Sequence, residues 1–221
     1  MTLRLNGSTS GYTEIDAPAS AGNNTLLLPT GNGSNLQALV GDGSGALSFQ
    51  WNAGSLFYRL NSNRVGSNAT GNQSIFGVGV TLASSTVYKF DGLYALHKTA
   101  GTTGHIVRFN FGGTATINNI IYSGSICGNA SATPTTFDAS SSTFLATSTA
   151  DVDTSTLLTD AGRSQNAAFS GTVSVNAGGT LIPNYSLSVA PGGAYTVQAG
   201  SYILFTPIGA AGSDSSQGTW S

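Results

Sequence analysis

"TVYKFDGLYALHK", Thr86–Lys98, alternates without a break. Tyr88, Phe90, Tyr94 and Leu96 point to one side of an extended backbone, and Lys89, Asp91 and His97 to the other. One face of such a strand meets a core and the other meets water or a partner. "HIVRFNFGG", His105–Gly113, repeats the pattern, with Val107, Phe109 and Phe111 opposite Arg108 and Asn110. Upstream, "SLFYRL" (Ser55–Leu60) and "SIFGVGVTL" (Ser74–Leu82) read as strands. Downstream, "TATINNIIYSG", "STFLATSTAD", "AAFSGTVSVNAGGTLIPNYSLSVAPGG" and "SYILFTPIG" supply at least five more, each closed by a turn signal. "NAGGT", Asn176–Thr180, between two alternating runs, reads as a hairpin loop.

The count from Ser74 onward is about eight strands in about 135 residues with no helical pattern, which suits a jelly-roll-like sandwich. An up-and-down barrel or an immunoglobulin-like sandwich satisfies the same pattern. Composition agrees with an all-β chain. Of the 221 residues 39% are hydrophobic and only 7% charged, with 30 glycines and 6 prolines, against roughly a quarter charged in ordinary globular proteins. Low net charge together with ample apolar content argues for folding rather than disorder. A net charge of −2 with seven scattered basic residues, and a pI near 5.4, argue against nucleic acid as a partner.

The first fifty residues have another texture. In "LNGSTSGYTEIDAPASAGNNTLLLPTGNGS", Leu5–Ser34, short apolar clusters sit among Gly, Ser, Asn and Thr. None is long enough for a strand of a self-sufficient sheet, and ordering the backbone costs roughly 1 to 2 kcal/mol per residue. The expected organisation is an extended anchoring arm over residues 1–52 and a β-sandwich head over 53–221. Tyr12, Ile15, Leu26, Leu27 and Leu28 are the arm's expected partner-binding residues. Trp51 and Trp220, large rings near the arm's end and the chain's end, are expected at an interface. "MTLRLNGSTSG" lacks an apolar signal region and no run is long enough to span a bilayer, so the reading is a soluble, unsecreted product without membrane insertion. The sequons at Asn68, Asn129 and Asn184 are assigned nothing.

Catalytic signals are sparse. His97 and His105 flank "HKTAGTTGH" without a third ligand and read as surface residues. Asp151 and Asp153 in "TADVDTST" offer two carboxylates, at most a weak cation site, with no sugar platform beside them. No Gly-x-Ser-x-Gly elbow comes with an acid and a His, and "GNGS", "GDGSG" and "APGG" neither follow strands nor open helices. A Lys89 or Lys98 crosslink to Asn would need a buried acid alongside. Cys127, the only cysteine, excludes an intrachain disulfide and reads as buried and inert. No enzyme activity, cofactor or metal is expected.

The opening segment, the block "SIFGVGVTLASSTVYKFDGLYALHKTAGTTGHIVRFNFGGTATINNIIY" and the closing "FSGTVSVNAGGTLIPNYSLSVAPGGAYTVQAGSYILFTPIG" through "GTWS" resemble bacteriophage tail-fibre and virion structural proteins, particularly of marine and cyanobacterial phages. The resemblance spans most of the chain and rests on structural phrasing without a catalytic motif. It implies a non-enzymatic virion component, a homotrimer with jelly-roll-like heads, made in the host cytoplasm and carried on the virion surface. With no heptads, shaft repeat or separate tip, the reading is a capsid decoration (cement) protein seated on the major capsid protein or other virion proteins. The alternative is a short tail or neck fibre whose head binds a host surface glycan.

Overall fold

The computed structural model describes residues 3–6, 8–15, 23, 25–32, 38–42, 44–50, 54–129, 142–155 and 157–212. Every regular element among them is a β-strand, and every ladder between strands is antiparallel. The chain divides into two compact units, Met1–Gly54 and Ser55–Ser221. Trp51 and Trp220 lie outside the described residues, as does most of the Gly128–Ser140 connection.

In the first unit, β1 (Leu3–Asn6) pairs with β2 (Tyr12–Ile15), and β3 (Ala38–Gly41) pairs with β4 (Leu47–Gln50). Leu27 bridges in parallel to Ala46, its N–H donating to Gly45 O at 2.8 Å and its carbonyl accepting from Leu47 N at 2.9 Å. The turn before β4 is closed by Asp42, whose carboxylate accepts from the Ser44 hydroxyl and from the Ser44 and Ala46 amides. Strands thus form where the sequence suggested none, but only as pairs. A two-stranded hairpin is marginal alone in water, and here Leu3, Leu5, Tyr12 and Ile15 are all more than half exposed.

The second unit holds β5 (Leu56–Arg59), β6 (Arg64–Val65), β7 (Gln73–Ser74), β8 (Val80–Leu82), β9 (Thr86–Lys98), β10 (Val107–Gly113), β11 (Thr116–Asn129), β12 (Ser142–Ala146), β13 (Val152–Asp153), β14 (Arg163–Ala177), β15 (Gly179–Leu187), β16 (Thr196–Val197) and β17 (Tyr202–Ala210). They form two sheets of a sandwich. The larger runs β12-β11-β14-β9, and the far edge of β9 is shared by β17 and β16, which carry β5 and β6 outside them. The smaller runs β13-β10-β15, with β7 and β8 sharing the far edge of β15. From β8 to β15 the chain crosses between the sheets at every step except β11 to β12. The eight expected strands are therefore too few, because short pieces at bends escape a periodicity reading.

Two sequence expectations fail for this reason. "NAGGT" is not a hairpin loop, since β14 belongs to the larger sheet and β15 to the smaller. It is a corner between layers, and Gly179 is needed there because a Cβ would lie 2.7 Å from Ala115 N. "SIFGVGVTL" is not one strand but β7, a bend through Gly77 at φ 75°, and β8.

Alternation sets the core. Tyr88, Phe90, Tyr94 and Leu96 of β9, Val107, Phe109 and Phe111 of β10, Ile120, Tyr122 and Ile126 of β11, and Phe169, Val173 and Val175 of β14 are all buried. Phe90 sits at the centre, its ring centroid 5.6 Å from Phe111, 6.0 Å from Tyr122 and 5.4 Å from Phe205. Phe169 lies across Gly92 of β9, its register partner, so that a Cβ at residue 92 would stand 2.3 Å from the ring. Gly92→Ala should overpack this site and destabilise the head by about 1–3 kcal/mol. Urea denaturation monitored by tryptophan or tyrosine fluorescence measures it, and a stability equal to that of the parent would remove the packing role assigned to residue 92.

Candidate functional site

Four regions outside the aromatic core carry chemical or binding potential. The expected arm residues come first. Tyr12 and Ile15 lie in β2, and Leu26, Leu27 and Leu28 lie in an extended stretch, each of the three leucines 64–66% exposed. Arg4 stacks its guanidinium 4.1 Å from the Tyr12 ring centroid, which leaves Leu3, opposite Ile15 in the register, available on the hairpin's apolar side.

The second region is a buried polar cluster at one end of the sandwich. Residues 88, 90, 92, 94 and 96 face inward, and Lys98 continues that series, with 1% of its surface exposed. Its ammonium donates to the carbonyls of Gly101 at 2.6 Å, Ala100 at 3.4 Å and Asp160. Those backbone acceptors satisfy a buried cation. Arg163, also buried, pairs with the Asp160 carboxylate at 3.2 Å. The crosslink considered for Lys98 lacks its geometry, since the acceptors around the ammonium are main-chain carbonyls and Asp160 is engaged by Arg163.

His105 belongs to the same cluster and corrects its surface reading, for it is fully buried. Its Nδ1 lies 2.8 Å from the Thr103 carbonyl oxygen and its Nε2 2.8 Å from the Tyr195 hydroxyl. A carbonyl only accepts, so Nδ1 carries the hydrogen and Nε2 accepts from Tyr195. Burial lowers the His105 pKa, and the cations Lys98 and Arg163 lower it further. His97, half-buried on the outward side of β9, is lowered by burial too. The two histidines do not build a metal site, and among the described residues no group of three or more His, Cys, Asp or Glu does.

Third, Asp151 and Asp153 lie by the smaller sheet and face donors. Asp151 Oδ1 accepts from Asn110 Nδ2 at 2.5 Å and from Ser186 Oγ at 2.9 Å, while Asp153 pairs with Arg108 Nε at 2.6 Å. Asn110 also donates to Asn72 and accepts from Asn184. Each carboxylate is held by its own neighbours, so the pair does not converge on one point. Cys127 is half-buried rather than buried, because it faces outward from β11 while Ile126 and Gly128 face in.

The fourth region comprises two hollows that the sequence did not reveal. On the outward side of the larger sheet a trough of about 1040 Å³ runs over Ser123, Ser125, Ala168 and Ser170, walled by Leu145 on one flank and Tyr202 and Asp91 on the other. At the opposite edge, between the sheets, an apolar cavity of about 240 Å³ is lined by Leu56, Tyr58, Phe76, Val78, Val80 and Ile203 among others. No family model, curated protein or solved structure matches the chain.

The buried cluster yields two expectations. A histidine held neutral in the fold, with its pKa below the unfolded value near 6.5, makes the unfolded state bind more protons below that pH. Stability should hold above about pH 6.5 and fall as the pH drops toward the depressed folded pKa. Urea midpoints at pH 7.5 and 5 should show the loss, and His105→Gln should reduce it, leaving the part due to His97; an unchanged slope in the variant would contradict the assignment. Lys98→Met should cost at least about 2 kcal/mol by stranding buried carbonyls, measured as a lowered denaturation midpoint at neutral pH.

Proposed function

We propose that this chain is a non-enzymatic structural protein of a bacteriophage virion: a trimeric capsid decoration protein whose segment 1–52 anchors a jelly-roll head to the shell. The strand order supports the jelly roll. One sheet runs β9-β14-β11-β12 and the other β8-β15-β10-β13, the interleaving that two nested Greek keys produce. In this reading β5, β6, β16 and β17 widen the first sheet beyond the basic eight.

The observation that carries the proposal is the apolar load of the first unit. Leu3, Leu5, Tyr12, Ile15 and Leu26 to Leu28 are all more than half exposed, the first four on a two-stranded ladder and the three leucines on a stretch held to β4 by one bridge. Such a surface gains its stability by burial against other chains, at roughly 25 cal/mol per Å² of apolar area removed from water. Three arms on one trimer would add their contacts at high effective concentration. Neutral hydroxyl- and amide-rich surface suits a particle exterior.

The second reading, a short tail or neck fibre, is favoured by one feature, the trough over Ser123, Ser125 and Ser170, whose hydroxyls and Asp91 carboxylate suit a polyol ligand such as a host glycan. Copy number separates the two. Quantitative gel analysis of purified particles should give on the order of hundreds of copies for a decoration protein, as its seating on a symmetric shell requires. A count of only tens selects the fibre. Removal of residues 1–52 should abolish incorporation while the circular dichroism spectrum stays β-type, and retained incorporation contradicts the anchoring role.

A further inference from the structure

The sandwich is unfinished along one edge. Ile203 and Phe205 of β17 are buried, and their register partners on β5 are Tyr58 and Leu56. Tyr58 therefore stands on the core-facing side of its strand, with its ring 5.5 Å from that of Phe76, yet it is 42% exposed. Across the gap Val78 is also exposed, and between them lies the 240 Å³ apolar cavity. A core-facing tyrosine left this open marks a place where a further strand would complete the layer.

The backbone agrees with the side chains. Among the described residues β5 pairs only with β17, so its outer edge presents unpaired N–H and C=O groups. Protein edges are normally guarded by short length, charged side chains, Pro or a bulge. β5 is short, but the sequence Leu56-Phe57-Tyr58 carries none of the others, and Arg59 at the end turns its guanidinium to Asn61. An open edge beside an apolar pocket is the geometry of strand addition, where the main chain supplies affinity and alternate side chains fill the pocket.

The added strand must be extended and uncharged, with apolar residues at alternate positions and one free hydrogen-bonding edge. Thr25–Pro29 has these properties. Leu27 has both backbone groups engaged by Gly45 and Leu47, and successive residues of an extended chain turn their backbone groups to opposite sides. Leu26 and Leu28 therefore turn theirs away from β4, and their side chains share one face, both about two-thirds exposed.

We infer that Leu26–Leu28 of one copy adds to the outer edge of β5 in a second copy, placing Leu26 and Leu28 in the cavity beside Tyr58 and Val78. The inference rests on the self-assembly proposed above and names its partner surface. Neighbouring subunits then become linked by exchanged arms.

Disulfide trapping tests it in the full chain. With Cys127→Ser as background, Leu28→Cys and Val78→Cys together should give intermolecular crosslinks under mild oxidation, seen as dimers and larger species on a non-reducing gel. Leu28→Cys with Val189→Cys, an exposed residue elsewhere on the head, should not. Val78→Asp in the native chain should reduce oligomer at a fixed concentration by sedimentation velocity. A disulfide that forms within single chains, crosslinks from Leu5→Cys in place of Leu28→Cys, or no crosslink in a chain that sediments as an oligomer each overturn the strand addition while leaving self-assembly standing. A native chain that sediments as a monomer overturns both.

Discussion

The head depends on aromatic residues placed opposite glycines on neighbouring strands. In the β11·β14 ladder Tyr122 is opposite Gly171 and Gly124 is opposite Phe169, so that "YSG" (Tyr122–Gly124) and "FSG" (Phe169–Gly171) meet head to tail. Phe169 is in turn opposite Gly92 on β9. A Cβ at Gly171 would lie 2.5 Å from the Tyr122 Cβ, and one at Gly124 would lie 2.6 Å from the Phe169 Cβ. Three strands are thereby locked in one register, since a slip of one residue would turn the inward faces outward and bring side chains against the rings. The Phe90 cluster, and with it the spacing of the two sheets, follows from that register.

Much of this was legible in the chain. Thr86–Lys98 declared its buried face by period two, but Lys98, whose parity is inward and which is buried, was left unassigned because its charge does not mark a core position. Pairing was not legible. Nothing in "NAGGT" distinguishes a hairpin from a corner between sheets, because both need a tight turn flanked by alternation; only the pairing of β14 with β9 and β11 and of β15 with β10 decides. His105 was misread for a related reason. It shares the inward parity of Val107, Phe109 and Phe111, but it precedes β10, in a bridge to Leu158, and the Tyr195 hydroxyl that partners its ring lies ninety residues away in sequence. The exposure of Leu26 to Leu28 was the opposite case, since an apolar triplet between turn signals has no local partner to hide it.

The scarcity of charge shapes the surface. Lys89 pairs with Asp91, Arg108 with Asp153 and Arg163 with Asp160, so several of the chain's few ions are neutralised locally. The two exposed pairs, Lys89–Asp91 and Arg108–Asp153, contribute about 0–1 kcal/mol each, and their larger effect is to leave the outer faces of the head to serine, threonine and asparagine. A chain with so little net charge has weak electrostatic repulsion between copies, so close approach of like subunits costs little.

The end of the sandwich at Lys98 and its edge at β5 meet the same problem differently. Where the 99–101 loop and the Asp160 segment meet, the gap is filled from within by Lys98, Arg163 and His105, and the polar groups of the main chain find donors there. At β5 the corresponding gap is lined mainly by apolar atoms, those of Leu56, Phe76, Val78 and the Tyr58 ring among others. A buried cation can close a gap between carbonyls, but a gap between apolar walls closes only with apolar matter. The Lys98 end is therefore filled by the chain's own side chains, whereas the apolar edge at β5 would gain stability only from further apolar side chains.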